Sequence, residues 1–304
     1  MKRNPWLKYL PVILASSCLA FVALKPAYPA DIPGVQLRSD YDRYMRSGYT
    51  ATAKRDYRAA LINFRRALSE RPGDRYALNA VGNVSKYVAQ RGDSSLSFVP
   101  PNLGAPGSRQ GGATRGGCNS ENQFLTALVP ATNIGTTTAE YPEVFFYIPQ
   151  TQAQTMEFAL LDEKDNQIGK TNVAPSLTPG IVSVRLSALK NLKPLEIGKK
   201  YHWYMSIICD ARDRSADVFV DGWIQRIEVD PVLASELKKA TPSDRVSLYA
   251  VNGIWYDTLQ ALSQTRQSSP TNSVLAGEWG DLLKSVGLEK IAREPLVQCC
   301  TARK

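Results

Sequence analysis

The spacing of apolar residues changes twice along this chain, and this change limits the architectures that the chain can adopt. Across residues 38–92 apolar side chains recur at helical spacing. Across residues 123–230 they alternate with polar neighbours, as at Met156, Phe158 and Leu160, and helical spacing returns over residues 231–296. The sequence therefore predicts a multi-domain α+β protein, with a β domain between two helical regions and a short tail at residues 297–304.

The first thirty residues have the order of a secretory signal peptide. Three Lys/Arg within the first eight residues precede an apolar run from Leu10 to Leu24, and a small-residue region ends at Ala30. The run of about 15 residues is shorter than the roughly 20 that span a bilayer. We expect residues 1–30 to be removed, which leaves an exported protein of the periplasm or cell envelope without a stable membrane span. An uncleaved anchor is the alternative.

The helical region at residues 38–92 resembles a tetratricopeptide repeat (TPR). The matching pattern is Tyr44, Gly48, Tyr57, Ala60, Phe64, Ala67 and Pro72. Small residues at Gly48 and Ala60 would let two helices approach closely. One and a half repeats are too few for a solenoid, so we expect a TPR-like helical module that packs against another part of the chain.

Residues 93–122 are rich in Gly, Ser, Pro and Arg and contain few apolar side chains. This composition is typical of a linker or a flexible arm. A phosphate-binding loop is the alternative, but such a loop is held between a strand and a helix N-terminus, and neither flank has that pattern.

The β domain at residues 123–230 has at least six predicted strands with no helical pattern between them. One of these, Val144 to Ile148, is apolar on both faces, as a central strand would be. This spacing of short strands predicts an immunoglobulin-like antiparallel β-sandwich. Residues 231–296 then form a C-terminal helical subdomain packed on it.

Four cysteines remain once the leader is removed, namely Cys118, Cys209, Cys299 and Cys300. Export places them in an oxidising compartment, where pairing is expected. The adjacent tail residues cannot easily bond to each other, because a disulfide needs its Cα atoms further apart. We prefer a Cys118–Cys209 bridge. Two free thiols, or pairing of either residue with the tail, stay open.

The only histidine, His202, lies in the stretch YHWYMSIICD. A single histidine excludes sites that need two imidazoles, and a Ser-His-Asp triad would have to use this one. Strand alternation places Trp203 and its odd-numbered neighbours on the core face and His202 on the other face. We expect an outward, structural histidine whose replacement by alanine changes stability by no more than about 0.5 kcal/mol.

The segment after that strand gathers the weak polar-ligand candidates Asp210, Asp213, Arg214 and Asp217. Carboxylates at this spacing could bind Ca²⁺. We favour a turn in which the aspartates accept backbone amide bonds and pair with arginines. No catalytic residue, cofactor or metal site is predicted.

Three aromatic residues, Trp223, Trp255 and Tyr256, have two alternative roles. Exposed on a sheet face, they would form a platform for sugars. We favour the core for each of them, because large aromatic side chains are buried more often than not.

The distribution of charge, rather than the net charge of +9, argues against nucleic acid as a partner. The first thirty residues contain four Lys/Arg and no acid, so the mature chain carries +5. This mild charge is not organised as the dense basic stripe with interleaved aromatics that nucleic-acid binding needs.

Several longer phrases carry a resemblance to a known family. In chain order they are PPNLGAPGSRQGGATRGGC, LTALVP, TTAEYPEVFFYIPQ, YHWYMSIICDARDRSADVFVDGWIQR and GIWYDTLQAL. Through them, residues 100–296 resemble an uncharacterised family of exported cyanobacterial proteins, domain of unknown function 928. The resemblance implies an exported cyanobacterial protein and no assigned activity or ligand.

Together these features predict a non-enzymatic envelope protein that binds or scaffolds protein partners, because helical repeats and sandwiches present surfaces without a preformed reaction centre. The alternative is a carbohydrate-binding or carbohydrate-processing envelope protein that uses Asp210, Asp213 and the tryptophans.

Overall fold

The computed structural model describes most of the chain after residue 32. The described residues are 33–71, 73–90, 96–101, 103–111, 118, 124–176, 178–229 and 231–297. They form an α+β protein with N-terminal helices, a central β-rich region in two sheets and C-terminal helices, as predicted. The predicted leader at residues 1–30, together with Cys299 and Cys300, lies outside the described residues.

The N-terminal helices are α1 (Pro33–Ala53), α2 (Tyr57–Glu70) and α3 (Arg75–Gln90). The close approach expected at Gly48 is present, because a Cβ atom there would clash with the ring of Phe64. The buried face of α2 packs against both neighbouring helices, so these helices share one core.

The β-rich region contains two sheets of different size. The strands are β1 (Thr126–Ala127), β2 (Ile134–Thr137), β3 (Glu143–Ile148), β4 (Thr155–Leu161), β5 (Gln167–Val173), β6 (Gly180–Arg185), β7 (Lys200–Ile208) and β8 (Val218–Arg226). The three-stranded sheet has the order β1-β3-β6, and the five-stranded sheet has the order β2-β8-β7-β4-β5.

One strand pair differs from the fully antiparallel arrangement that we predicted. β2 pairs with β8 in parallel, whereas the other strand pairs of the two sheets are antiparallel. The reason is that consecutive short strands, β1 and β2, join different sheets. No alternation pattern in four residues can reveal such a switch.

The main core lies between the two sheets. Phe146 of β3 meets Trp203 of β7 edge to face, with ring centroids 5.3 Å apart. The odd-numbered residues of β7 from Tyr201 to Ile207 are buried, as alternation predicted. In the adjacent strand, a side chain at Gly222 would overlap the Trp203 ring, so the core needs a glycine there.

The C-terminal helices are α4 (Pro231–Lys239), α5 (Pro242–Val251), α6 (Trp255–Ser268) and α7 (Ser273–Ser285). Of these, α6 and α7 cover the opposite face of the three-stranded sheet. Phe145 of β3 contacts Trp279 of α7, with ring centroids 6.5 Å apart. β3 is therefore buried on both faces, which agrees with its continuous apolar run.

Two aromatic residues of α6 join these helices to the sheets. Trp255 donates from Nε1 to the Leu128 carbonyl at 2.8 Å. Tyr256 accepts from Trp203 Nε1 at 2.9 Å and donates to the Trp223 carbonyl at 3.0 Å. Both α6 side chains are completely buried, which confirms the core assignment for Trp255 and Tyr256.

The described part of the predicted linker or arm, residues 96–101 and 103–111, is held against the rest of the chain by ring contacts and hydrogen bonds. Phe98 is buried against Trp255, with ring centroids 4.7 Å apart. Further along, Gly111 donates its backbone N–H to the Leu125 carbonyl at 2.8 Å. The backbone groups of the segment make most of its hydrogen bonds to the rest of the chain, and a composition-based prediction does not register such bonds.

The Cys118–Cys209 disulfide preferred from the sequence is present, with Cα atoms 5.3 Å apart. Thr151 donates from Oγ1 to the Cys118 carbonyl at 3.0 Å, which fixes the first cysteine beside the end of β7. The bridge therefore ties residue 118 to the five-stranded sheet.

Within the described residues, no helix is both long enough and apolar enough to cross a membrane.

Candidate functional site

The candidate site is the face of the five-stranded sheet that points away from the three-stranded sheet, which we call the outer face. Its side chains include Glu157, His202, Tyr204, Ser206, Phe219, Asp221 and Trp223. Along β7 and β8, His202 lies opposite Trp223, Tyr204 opposite Asp221, and Ser206 opposite Phe219. Side chains directly opposite each other on one face make contact, so these rows form one continuous surface.

His202 lies on the predicted face but is not exposed, so the expectation of an outward surface histidine is wrong. Only 8% of the residue is accessible. Its ring stacks on Trp223 with centroids 4.2 Å apart and planes at 10°. Its Nε2 lies 2.8 Å from Asp221 Oδ2, and its Nδ1 lies 3.1 Å from the Tyr204 hydroxyl. Large neighbours in the same row bury it.

The direction of the hydrogen bonds in this carboxylate–imidazole–phenol chain follows from the tautomer of the imidazole. In the neutral tautomer that donates from Nε2 to the Asp221 carboxylate, Nδ1 accepts from the Tyr204 hydroxyl. Burial, with the nearby charges of Asp221 and Asp165, raises the pKa of Tyr204. The phenol therefore stays protonated, which is the opposite of what an activated nucleophile or base needs.

The packed segment before β1 closes one side of this chain. Ser108 donates its backbone N–H to Asp221 Oδ1 at 2.7 Å, and its carbonyl accepts from the Asp221 N–H at 3.0 Å. The Ser108 hydroxyl donates to the Gln110 carbonyl at 2.7 Å and is therefore not directed at the imidazole. Gly107 has φ +127°, and a Cβ atom there would clash with Asp221, so only glycine fits.

The two partners of His202 on β8 are Asp221 and Trp223. Asp221 lies within the strand, and its carboxylate is buried. Trp223 lies on the outer face, partly exposed, and donates from Nε1 to the Pro106 carbonyl at 3.1 Å, so its assignment to the core is wrong. Pairing β7 with β8 as a hairpin would have placed both residues beside His202.

We expect His202→Ala to lower the free energy of unfolding by roughly 1–3 kcal/mol, because it leaves the buried Asp221 carboxylate without its imidazole partner. This exceeds the change expected for a surface residue. Tyr204→Phe is the matched control, since it removes only the hydroxyl at the half-exposed end of the chain. Urea denaturation measures both. A loss below about 0.5 kcal/mol for the alanine variant would show that the pair carries no stability.

The turn between β7 and β8 holds the aspartates that the sequence singled out. Asp210 Oδ1 accepts from the Arg212 N–H at 2.8 Å, and Asp213 Oδ1 accepts from the Ser215 N–H at 3.0 Å. These bonds are those of the favoured turn interpretation. Over the described ranges, no group of three or more His, Cys, Asp or Glu side chains has an arrangement that could hold a metal ion.

The other two polar-ligand candidates, Arg214 and Asp217, reach the outer face. Arg214 pairs with Asp217 and also donates from Nη2 to Glu157 Oε1 at 3.3 Å. Lys170 of β5 reaches the same carboxylate at 2.7 Å. Burial alone would raise the pKa of Glu157, but hydrogen bonds from Lys170 and Arg214 hold that pKa below its usual value. Arg214 and Asp217 therefore belong to a charged border of the outer face, and Asp210 and Asp213 do not.

Phe219 is the most exposed ring of the outer face. It is 51% accessible, and its centroid lies 6.3 Å from that of Tyr204. It lies opposite Ser206, which in turn lies opposite Glu157 of the charged border. One sequence signal distinguishes Phe219 from a core phenylalanine. It occupies an odd-numbered position in a strand whose even-numbered positions from 218 to 224 carry no polar side chain.

Comparison with known proteins gives one match. A family model described as Domain of Unknown Function (DUF928) matches residues 110–296, which is more than half of the chain. No curated protein and no solved structure matches. The matched residues include both sheets, the disulfide, the outer face and the C-terminal helices. The cyanobacterial origin stays a prediction. On this match, the chain belongs to the DUF928 family of domains of unknown function.

Proposed function

We propose that this chain is an exported, non-enzymatic protein that binds protein partners in the cell envelope through its outer face. The single observation that carries the proposal is the exposed Phe219 ring, set beside Tyr204 on the outer face, whose charged border includes Arg214. Aromatic residues and arginine are enriched at the centres of protein interfaces, whereas isolated exposed apolar residues carry no such meaning.

The environment of the histidine supports the non-enzymatic part of the proposal. Both ring nitrogens of His202 are engaged, and the ring itself is covered by Trp223. The raised pKa of Tyr204 keeps the end of the chain protonated. We interpret the cluster as a clamp that holds the Ser108 segment against β8 and keeps the outer face rigid.

Strand order supports an immunoglobulin-like assignment of the β-rich region. In that architecture strands A, B and E share one sheet, and strands C, F and G share the other. If β1, β3 and β6 correspond to A, B and E, and β4, β7 and β8 to C, F and G, both observed orders agree with it. The outer face would then belong to the sheet that contains strands G, F and C.

The N-terminal helices and the disulfide bear on two further parts of the proposal. Close packing of α1 on α2 at Gly48 supports a TPR-like module, which would add a second binding surface.

The Cys118–Cys209 bridge supports export, because stable disulfides form in oxidising compartments.

The test compares two charged variants in affinity capture from envelope extracts. Phe219→Asp should lower partner retention by about tenfold or more, since loss of a central aromatic typically costs at least 2 kcal/mol. Val274→Asp is the matched control, because Val274 is 59% exposed on α7, outside the outer face. Equal retention by both variants, with unchanged melting temperatures, would refute the outer face as the binding surface.

A second function, carbohydrate binding, is favoured by one observation. Tyr204, Phe219 and Trp223 present three aromatic rings on the same face of one sheet, and flat aromatic faces stack on sugar rings. Polysaccharide pull-down distinguishes the two functions. Retention of the wild-type chain on polysaccharide, lost in Phe219→Asp, would favour this second function over protein binding.

A further inference from the structure

A cleft of about 1010 Å³ is lined by α5, α6 and the residues that follow β2. Its volume lies at the upper end of the range for small-molecule sites. It shares no residue with the outer face, so an inference about it does not rest on the function proposed above. Five of its lining residues are considered below, namely Asp257, Gln260, Gln264, Arg245 and Tyr249.

The floor of the cleft is built around a buried carboxylate. Asp257 is only 7% exposed. Its Oδ2 accepts from Thr137 Oγ1 at 2.6 Å and from the Thr138 N–H at 3.1 Å, and its Oδ1 accepts from Thr138 Oγ1. Burial raises its pKa, despite these hydrogen bonds. Because both oxygens are engaged, Asp257 shapes the floor and does not present a free anion to a ligand.

One wall carries two unengaged amides. Gln260 and Gln264 follow Asp257 at helical spacing on α6, so the three residues line the same side of the helix. Within the described part of the chain, neither glutamine side chain has a hydrogen-bond partner. Each amide offers two donors and one acceptor, a combination that suits neighbouring hydroxyl groups of a sugar.

The other wall carries a cation and a ring. Arg245 is exposed on α5, and among the described residues no carboxylate pairs with its guanidinium. Its planar group offers two parallel donors to a carboxylate. Tyr249 lies one turn further along α5 and is half-buried in the same cleft, where its ring can contact the C–H face of a sugar.

We propose that this cleft binds an acidic sugar, with its carboxylate on Arg245 and its hydroxyl groups on Gln260 and Gln264. Among these five residues, Arg245 carries a charge with which no described carboxylate pairs, and this favours a ligand with one negative group. The amides and the Tyr249 ring fit the remainder of a pyranose. The carboxylate binds at the exposed rim, away from the buried Asp257.

The test is a titration of the full chain with D-glucuronate, observed by NMR through the side-chain amide signals of Gln260 and Gln264. We expect saturable shifts at millimolar concentration or below, and D-glucose at least about tenfold weaker, because it lacks the group that makes a charge-assisted bond. Arg245→Gln should weaken D-glucuronate binding by about tenfold or more. Arg212→Gln, an arginine outside the cleft, should bind as the wild type does.

Three results would overturn the proposal. They are equal binding of D-glucose and D-glucuronate, an Arg245→Gln variant that binds normally, and no saturable shift up to about 10 mM sugar. The Phe219→Asp variant should retain D-glucuronate binding. The failure of the outer-face proposal and the failure of this one are therefore distinguishable.

Discussion

Removal of the Cys118–Cys209 disulfide is expected to lower the free energy of unfolding by up to about 4–5 kcal/mol. The two residues are 91 positions apart, and the chain-entropy model gives roughly this value for a loop of that length, with measured losses often smaller. The variant is the double substitution Cys118→Ala with Cys209→Ala, which leaves no unpaired partner. Urea denaturation of the oxidised wild type and the variant measures the difference.

The control for this pairing is the tail double variant, Cys299→Ala with Cys300→Ala. It should unfold at the same urea concentration as the wild type. If the tail variant loses as much stability as the Cys118/Cys209 variant does, then the bridge uses a tail cysteine and the assigned pairing is wrong. Peptide mapping without reduction gives the same answer independently.

Trp203→Ala should destabilise the protein by about 3–5 kcal/mol, the range for truncating a large buried aromatic. The ring is fully buried between the two sheets, contacts Phe146, and donates to the Tyr256 hydroxyl. Its loss leaves a cavity beside Gly222 and removes the hydrogen bond that links the core to α6. Thermal and urea denaturation both report the change.

Tyr256→Phe separates packing from hydrogen bonding in the same place. It keeps the ring but removes the hydroxyl that joins Trp203 to the Trp223 carbonyl, so a smaller loss of about 1–3 kcal/mol is expected. Equal losses for Trp203→Ala and Tyr256→Phe would show that the hydrogen bonds, rather than the buried ring, dominate this part of the core.

The core could be predicted from the sequence wherever the pattern of apolar residues along a strand shows which of its faces are buried. Alternation along residues 201–208 assigned Trp203 to the core correctly, and the continuous apolar run at residues 144–148 indicated a strand covered on both sides. The preferred Cys118–Cys209 pairing rested on an expected oxidising compartment and on the exclusion of a bond between adjacent cysteines, with pairing to the tail left open.

The features that the sequence did not reveal depend on contacts between distant segments. Ser108 and Asp221 are 113 positions apart, and the backbone N–H and carbonyl of Ser108 bind the carboxylate and the N–H of Asp221. The backbone groups of Ser108 leave no trace in composition. His202 is buried because Trp223 lies opposite it across a strand pair, so its exposure depended on a neighbour that alternation alone could not identify. The cleft at Asp257 likewise needs β2 beside α6.

A photo-crosslinking residue placed at position 219 tests the central claim most directly, because it reports contact at the outer face itself. The full chain carrying this group would be expressed in its source cells, irradiated, and compared with a chain carrying the same group at position 274. The account predicts a discrete crosslinked protein adduct at position 219 and none at position 274. The same adducts from both positions, or none from position 219 while the chain is folded and exported, would contradict it.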